Sequence, residues 1–223
     1  MHRKFAIAIL TLAFALNLNS QQLQKGIHVQ LATTENALPI AAADEPNAWI
    51  VTITAESTLY FGVDQVTPDA LFDDLTRHPR NRDQRLFVKA DADAPYSAVE
   101  SALNAARRAS FADCILLTAQ KEMPMPGERI LPSGLEVLLQ SRAASSPKTP
   151  LVELLASNDD ETPALKINHR SVPWTSLQNI LTEVLTNGID RNVVVKAEPK
   201  VPFGPVGHVI DVARSLGSEV ILP

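Results

Sequence analysis

The chain has 223 residues, 45% of them hydrophobic, and carries a formal net charge of −5 with a pI near 5.5. Two domains of roughly 90 residues fit such a length. No basic patch offsets the acidity, which argues against nucleic acid as a partner. The single cysteine, Cys114, excludes an intrachain disulfide framework and a cysteine-rich metal site.

The N-terminus reads as a targeting segment. His2, Arg3 and Lys4 are basic, and FAIAILTLAFALNL (5–18) is apolar apart from Thr11 and Asn17. Fourteen residues at about 1.5 Å rise span roughly 21 Å, short of the ~30 Å hydrocarbon core. Ala13-Phe14-Ala15 supplies an A-x-A sequence where a signal peptidase cuts. A cleaved signal and a short uncleaved anchor, within residues 1–24, both remain open, and either exports the rest of the chain.

GIHVQL (26–31) alternates as a strand does and leads into a loose stretch, 33–48. WIVTITAES (49–57) alternates with Trp49, Val51 and Ile53 on one face, and LYFGVDQV (59–66) pairs back on it with Gly62 and Asp64 at a turn. Thr67-Pro68-Asp69 is a helix start, with Thr67 as N-cap and Pro68 at the first helical position. The helix that follows places Leu71, Phe72 and Leu75 on one stripe. LFVKA (86–90) is a strand, and Pro95 opens a helix with Val99, Leu103 and Ala106 as its core face. Arg107 and Arg108 suit the negative end of that helix dipole. CILLT (114–118) is a buried strand, with Cys114 an inert thiol inside it.

The chain then repeats itself. LFVKADADAPYSAV (86–99) and VVVKAEPKVPFGPV (193–206) match at an offset of 107, with five of fourteen positions identical. LYFGVDQV meets LKINHRSV (165–172) at 106, and GIHVQL meets GLEVLL (134–139) at 108. Slips of one residue are what loop-length changes produce, so the pattern reads as a tandem duplication. The second copy adds LVELLA (151–156), a helix from Trp174 to Leu185, a helix from Pro202 to Leu216 and EVILP (219–223). AQKEMPMPGERILP (119–132), with three prolines and a glycine, is a short stiff linker between units 25–118 and 133–223. The expected fold is α+β: two tandem small mixed-sheet domains, each with two helices packed on one face.

Lys89 and Asp91 share a strand face opposite Val88 and Ala90. That face is expected to be solvated, with an ion pair worth about 0–1 kcal/mol. The alternative is a partner-recognition edge, repeated as Lys196 and Glu198. Tyr96 and Phe203, each after a proline, are core packing or an anchor for a bound peptide. The five histidines show no metal spacing, and there is no nucleophile elbow, P-loop or dinucleotide-binding glycine motif. The carboxylates at Asp73-Asp74 and Asp159-Asp160-Glu161 read as solvated acid. No catalytic residue, metal or cofactor is assigned, and an enzyme is disfavoured.

KGIHVQL, LYFGVDQVTPDAL, LFVKADADAPYSAV and CILLT, with their second-copy partners, in this order and spacing, resemble the ExbD/TolR family. The resemblance implies a non-catalytic periplasmic subunit of a proton-driven energy-transducing complex. It further implies an ExbB/TolQ/MotA-like multi-span membrane partner, a TonB-like or other cell-envelope protein, or peptidoglycan. The chain would sit on the periplasmic face of the inner membrane, or be soluble in the periplasm after signal cleavage. Two departures stand out. Family members carry an aspartate in the membrane helix, whereas residues 5–24 contain no Asp or Glu. They also carry one such unit and work as dimers, so two units in one chain would form a pseudo-dimer. The alternative is a free periplasmic scaffolding module without a motor.

Overall fold

The computed structural model describes residues 26–77, 84–120, 131–139, 149–157, 162–188 and 191–223. The targeting segment, most of the linker and the acidic run 159–161 lie outside these. The fold is α+β, with one mixed sheet and four helices among the described residues.

In the first half, β1 (Thr33–Thr34) and β2 (Leu38–Pro39) precede a 3-10 turn at Ala41–Asp44 and β3 (Trp49–Ile53). LYFGVDQV is itself a hairpin rather than one strand: β4 (Leu59–Phe61) turns into β5 (Asp64–Val66). Gly62, at φ 65°, supplies the positive φ this tight turn needs. α1 (Pro68–Arg77) is capped as its sequence predicts, Ala70 N–H donating to Thr67 Oγ1 at 3.2 Å. β6 (Leu86–Ala90), α2 (Tyr96–Arg108) and β7 (Asp113–Gln120) follow.

The second half contains β8 (Ser133–Leu138), β9 (Leu151–Leu155), β10 (Ala164–Ile167), β11 (Arg170–Val172), α3 (Leu177–Asn187), β12 (Asn192–Ala197), α4 (Phe203–Ser215) and β13 (Glu219–Ile221). A 3-10 turn at Trp174–Ser176 stands where the sequence predicted the start of α3.

The strands join in one sheet, ordered β11-β10-β9-β12-β13-β8-β7-β6-β3-β4-β5. In the first half β3, β6 and β7 run parallel and β4-β5 return antiparallel. In the second, β9, β12 and β13 run parallel and β10-β11 return antiparallel. Connectivity and relative strand direction within each half are thus the same, while β7 runs antiparallel and β13 parallel to β8 between them. That strand was expected to serve the second unit alone. Instead it pairs antiparallel with β7 along its length, from Asp113–Leu138 to Thr118–Ser133, and meets β13 at Ile221–Leu138. GIHVQL, expected as a strand, makes an isolated bridge at Leu31–Asp91.

Alternation explains the core. Val51, Ile53, Val88, Ala90, Leu116, Val137, Val152, Leu154, Val193, Val195 and Val220 face one way and pack with apolar stripes from all four helices. On the other face Ile50, Phe87, Ile115 and Leu117 are covered by Ile40, Ala43 and Ala48. Gly134 lets β8 lie there, because a Cβ would stand 2.4 Å from Ile115 Cγ2.

Candidate functional site

β6 and β12 each end in Lys-Ala-acid and hand the chain to a Pro-aromatic helix start, and the structure brings these two loops face to face. Neither helix has a side-chain cap. Pro95 (φ −65°, ψ 138°) and Pro202 (φ −60°, ψ 148°) hold the same extended conformation before them. The first N–H groups of a helix have no partner within it, and here the opposite loop supplies the carbonyls. Tyr96 N–H donates to Val201 O at 2.8 Å, and Phe203 N–H to Ala94 O at 2.9 Å. Ser97 N–H donates to Pro199 O at 3.0 Å, and Gly204 N–H to Ala92 O at 2.7 Å. Pro95 and Pro202 bridge antiparallel between them. Each bond has its reciprocal when positions 107 apart are exchanged: 96 with 203, 94 with 201, 97 with 204, 92 with 199. Gly204 allows the approach, since a Cβ there would come within 3.3 Å of Ala92 O.

Tyr96 (3% exposed) and Phe203 (1%) are core residues on either side of this junction. Burial pushes the Tyr96 hydroxyl well above its usual range, with Glu100 adding to the effect. Asp91 and Glu198 each accept backbone N–H groups. Asp91 accepts from Gln30 N–H and Asp93 N–H, at 2.9 and 3.0 Å, and Glu198 accepts from Ala156 N–H at 2.7 Å.

The solvated face expected for Lys89 and Asp91 is not there. Lys89 is 2% exposed and Asp91 9%. The alternation was read correctly, but in the first half that face is itself covered by the 40–48 segment. Lys196 and Glu198 do stay exposed, Lys196 standing beside Glu153 on β9. The predicted residues therefore divide: the aromatic pair is buried on either side of one junction, while the two lysines sit in different surroundings. Cys114 is buried as expected, and burial raises its thiol well above the usual range, chiefly by desolvation.

Desolvation lowers the Lys89 ammonium to about 8 from 10.5. Below that pH the lysine is charged in both folded and unfolded chains, and folding bears the desolvation that lowers its pKa. Between about 8 and 10.5 the folded chain has lost the proton and the unfolded chain keeps it, so this contribution improves as pH rises. The stability of wild type relative to Lys89→Met is therefore expected to rise by up to about 3 kcal/mol between pH 7 and pH 10, as read by urea melts of both proteins. A gap that ignores pH would mean the ammonium is not desolvated.

Sequence reasoning missed two side chains that join the halves, reading Arg107 only for its helix dipole and Asp211 not at all. Arg107 Nε donates to Leu139 O at 2.8 Å and Nη2 to Leu222 O at 3.0 Å, across the seam where β8 meets β13. Asp211, 2% exposed on α4, accepts from Glu35 N–H at 2.9 Å, Asn36 N–H at 3.0 Å and Asn36 Nδ2 at 3.2 Å. The available signal was an acid set inside the apolar run VIDVA, because a carboxylate on a buried helix face needs donors.

No group of three or more His, Cys, Asp or Glu side chains is placed to hold a metal among the described residues. No helix among them is long and apolar enough to cross a membrane. No curated protein matches the chain. No solved structure matches it either. A family model described as "Biopolymer transport protein ExbD/TolR" matches residues 6–121, just over half of the 223, and takes in the apolar N-terminal segment together with the whole first half of the fold. The order of strand, hairpin, capped helix, K-A-D strand and Pro-aromatic helix, seen first in the residues and then in the fold, thus has its explanation: the chain belongs to the ExbD/TolR family of biopolymer transport proteins.

Proposed function

We propose that this protein is a non-catalytic periplasmic component of a proton-motive-force-coupled energy-transducing complex, built from a tandem duplication whose two units pair about a pseudo-two-fold axis. The observation that carries the pairing is the reciprocal capping of α2 and α4, in which each loop supplies the carbonyls the other helix lacks. Isologous contacts are the usual way identical folds associate. Fusion keeps the partner unit at an effective concentration in the millimolar range, so the pair persists at any protein concentration. The partners are a multi-span membrane protein of the ExbB/TolQ/MotA kind and, on the envelope side, a TonB-like protein, another cell-envelope protein or peptidoglycan. Engagement through the backbone of an extended segment suits a surface with no constellation of reactive side chains. The outer edges of the sheet serve this poorly, because β5 and β11 are three residues long and a proline follows each within two residues.

Since residues 5–24 carry no Asp or Glu, the chain does not itself carry protons; any motor function comes from its partners. The same absence favours the second reading, a free periplasmic scaffolding module. Affinity purification of the full chain from membranes separates the two. The motor reading expects co-purification of a multi-span membrane protein, and a chain recovered wholly in the soluble fraction without one would end it. N-terminal sequencing of the exported protein decides between an anchor and a cleaved signal.

A further inference from the structure

The two helix pairs hold matching places in the repeat and present different surfaces. On α1 and α2 the outward positions are charged and paired with one another. Arg108 meets Asp69 at 2.9 Å and lies over the Phe72 ring at 4.4 Å, and Arg77 meets Asp73 at 3.3 Å. At the offsets of the repeat, 106 along α3 and 107 along α4, these charges are gone. Asp69 is answered by Thr175, Asp73 by Asn179, Asp74 by Ile180 and Arg108 by Ser215. α3 keeps one charged residue in eleven, Glu183, and the exposed residues of α4 are His208 and Ser215. What remains is dry for a helix surface. Thr182 Oγ1 donates to Gln178 O at 2.7 Å, Thr186 Oγ1 to Thr182 O at 2.8 Å and Ser215 Oγ to Val212 O at 2.7 Å, so these hydroxyls are satisfied without a partner from outside. Half-buried Ile180, Val184 and Val212 belong to the same helices, and Trp174 packs its ring 6.1 Å from that of His208. Loss of charge around half-exposed aromatic and aliphatic side chains marks the centre of a protein interface rather than a solvated face.

We propose that the α3–α4 face is an interaction surface for a second copy of this chain, so that two chains, with four repeat units, associate about a true two-fold axis. This goes beyond the complex inferred above and needs none of its partners. Charge selects the occupant. Each chain carries a net −5, so two copies repel and must meet where acid is scarce. A residue on a two-fold axis meets itself, and α3 from Leu177 to Thr182 has no charge to repel its image. The charges that the face does hold are complementary. His208 sits by Trp174 at the start of α3, and Glu183 lies nine residues further on, about 13 Å along the helix. An axis crossing α3 near Gln178 and Asn179 carries Glu183 of one copy towards His208 of the other, twice over. Two helices about 10 Å apart and roughly 17–20 Å long offer a patch that buries on the order of 1,000 Å² across both copies. That is the low end for a specific interface, so the expected Kd is micromolar rather than nanomolar.

Sedimentation of the full chain in density-matched detergent micelles, across the micromolar range, reads the association. Wild type is expected to pass from one chain of 24.2 kDa to two. Thr182→Arg should raise the Kd at least about tenfold, by bringing a charge into the contact. Thr76→Arg is its control. Thr76 holds the matching position on α1 and donates to Phe72 O in the same way, at 2.9 Å, but on the charged helix pair. It should leave the association unchanged. Thr182 and Asn179 are both exposed, so their variants should melt as wild type does, and Asn179→Arg, nearest the axis, should act as strongly as Thr182→Arg. A wild type that stays a single chain would overturn the proposal. So would association that both folded α3 variants leave intact, which would place it in the apolar N-terminal segment, or an equal loss in Thr76→Arg.

Discussion

Val195→Asp is expected to cost about 4–5 kcal/mol, enough to unfold most of a protein of ordinary stability. Val195 is fully buried in the middle of β12, beside the equally buried Val152 on β9. Its face of the sheet is the one roofed by the helices, where Val206, Val209 and Ile210 of α4 join the same cluster. A carboxylate there has no donor and no path to water, so it must be buried charged and unpaired, or buried protonated at the expense of its normal pKa. The neighbouring residue makes the comparison. Lys196 points to the opposite, exposed face, and Lys196→Gln should change stability by no more than about 1 kcal/mol. Urea unfolding of the two variants reads the sheet's two faces directly, and equal losses would refute the register described for β12.

The alternation that predicts this difference was legible from residues alone, because a strand with one roofed face must repeat every two residues. The α1 cap and the apolar stripes of α1 and α2 also fell where the sequence placed them, because a cap needs a short polar acceptor and a helix buries positions three and four apart. The fate of the other face was not legible. Lys89 and Lys196 occupy matching positions, yet one is buried and the other exposed. The difference lies in the Ile40–Ala48 stretch, which folds back over β3, β6 and β7 without any regular apolar period to announce it. Nor does local sequence choose the neighbour of β8. GLEVLL alternates equally well in the second half or against β7, and the choice is made by the tertiary arrangement, with Gly134 admitting Ile115. The junction loops were singled out as partner-recognition candidates for their repetition. Their use as mutual helix caps depends on backbone groups, which carry no side-chain signature.

Cleaving the chain between the halves, at a protease site placed within residues 121–130, is expected to leave two fragments that remain associated and unfold together. Separated, the first fragment should fail to hold its fold. The reason is where β8 lies. It travels with the second fragment, but it completes the sheet against β7 and contributes Leu135 (3% exposed), Val137 (0%) and, just beyond it, Leu139 (2%) to the common core. At about 1.5–3 kcal/mol for each of these three side chains, its loss strips about 4.5–9 kcal/mol of burial, comparable to the whole stability of a small domain. The same separation leaves the N–H groups of Tyr96 and Ser97 without carbonyl partners and empties the Asp211 carboxylate of its donors. These are local losses of about 1 kcal/mol for each bond, and they fall on both fragments alike. Size-exclusion chromatography of the cleaved protein, followed by a single or a double thermal transition, reads the result. Co-elution with one transition is the expected outcome. Two fragments that elute apart and each melt at the temperature of the intact chain would mean that the shared sheet and the reciprocal caps hold nothing together, and the paired-unit reading would fall with them.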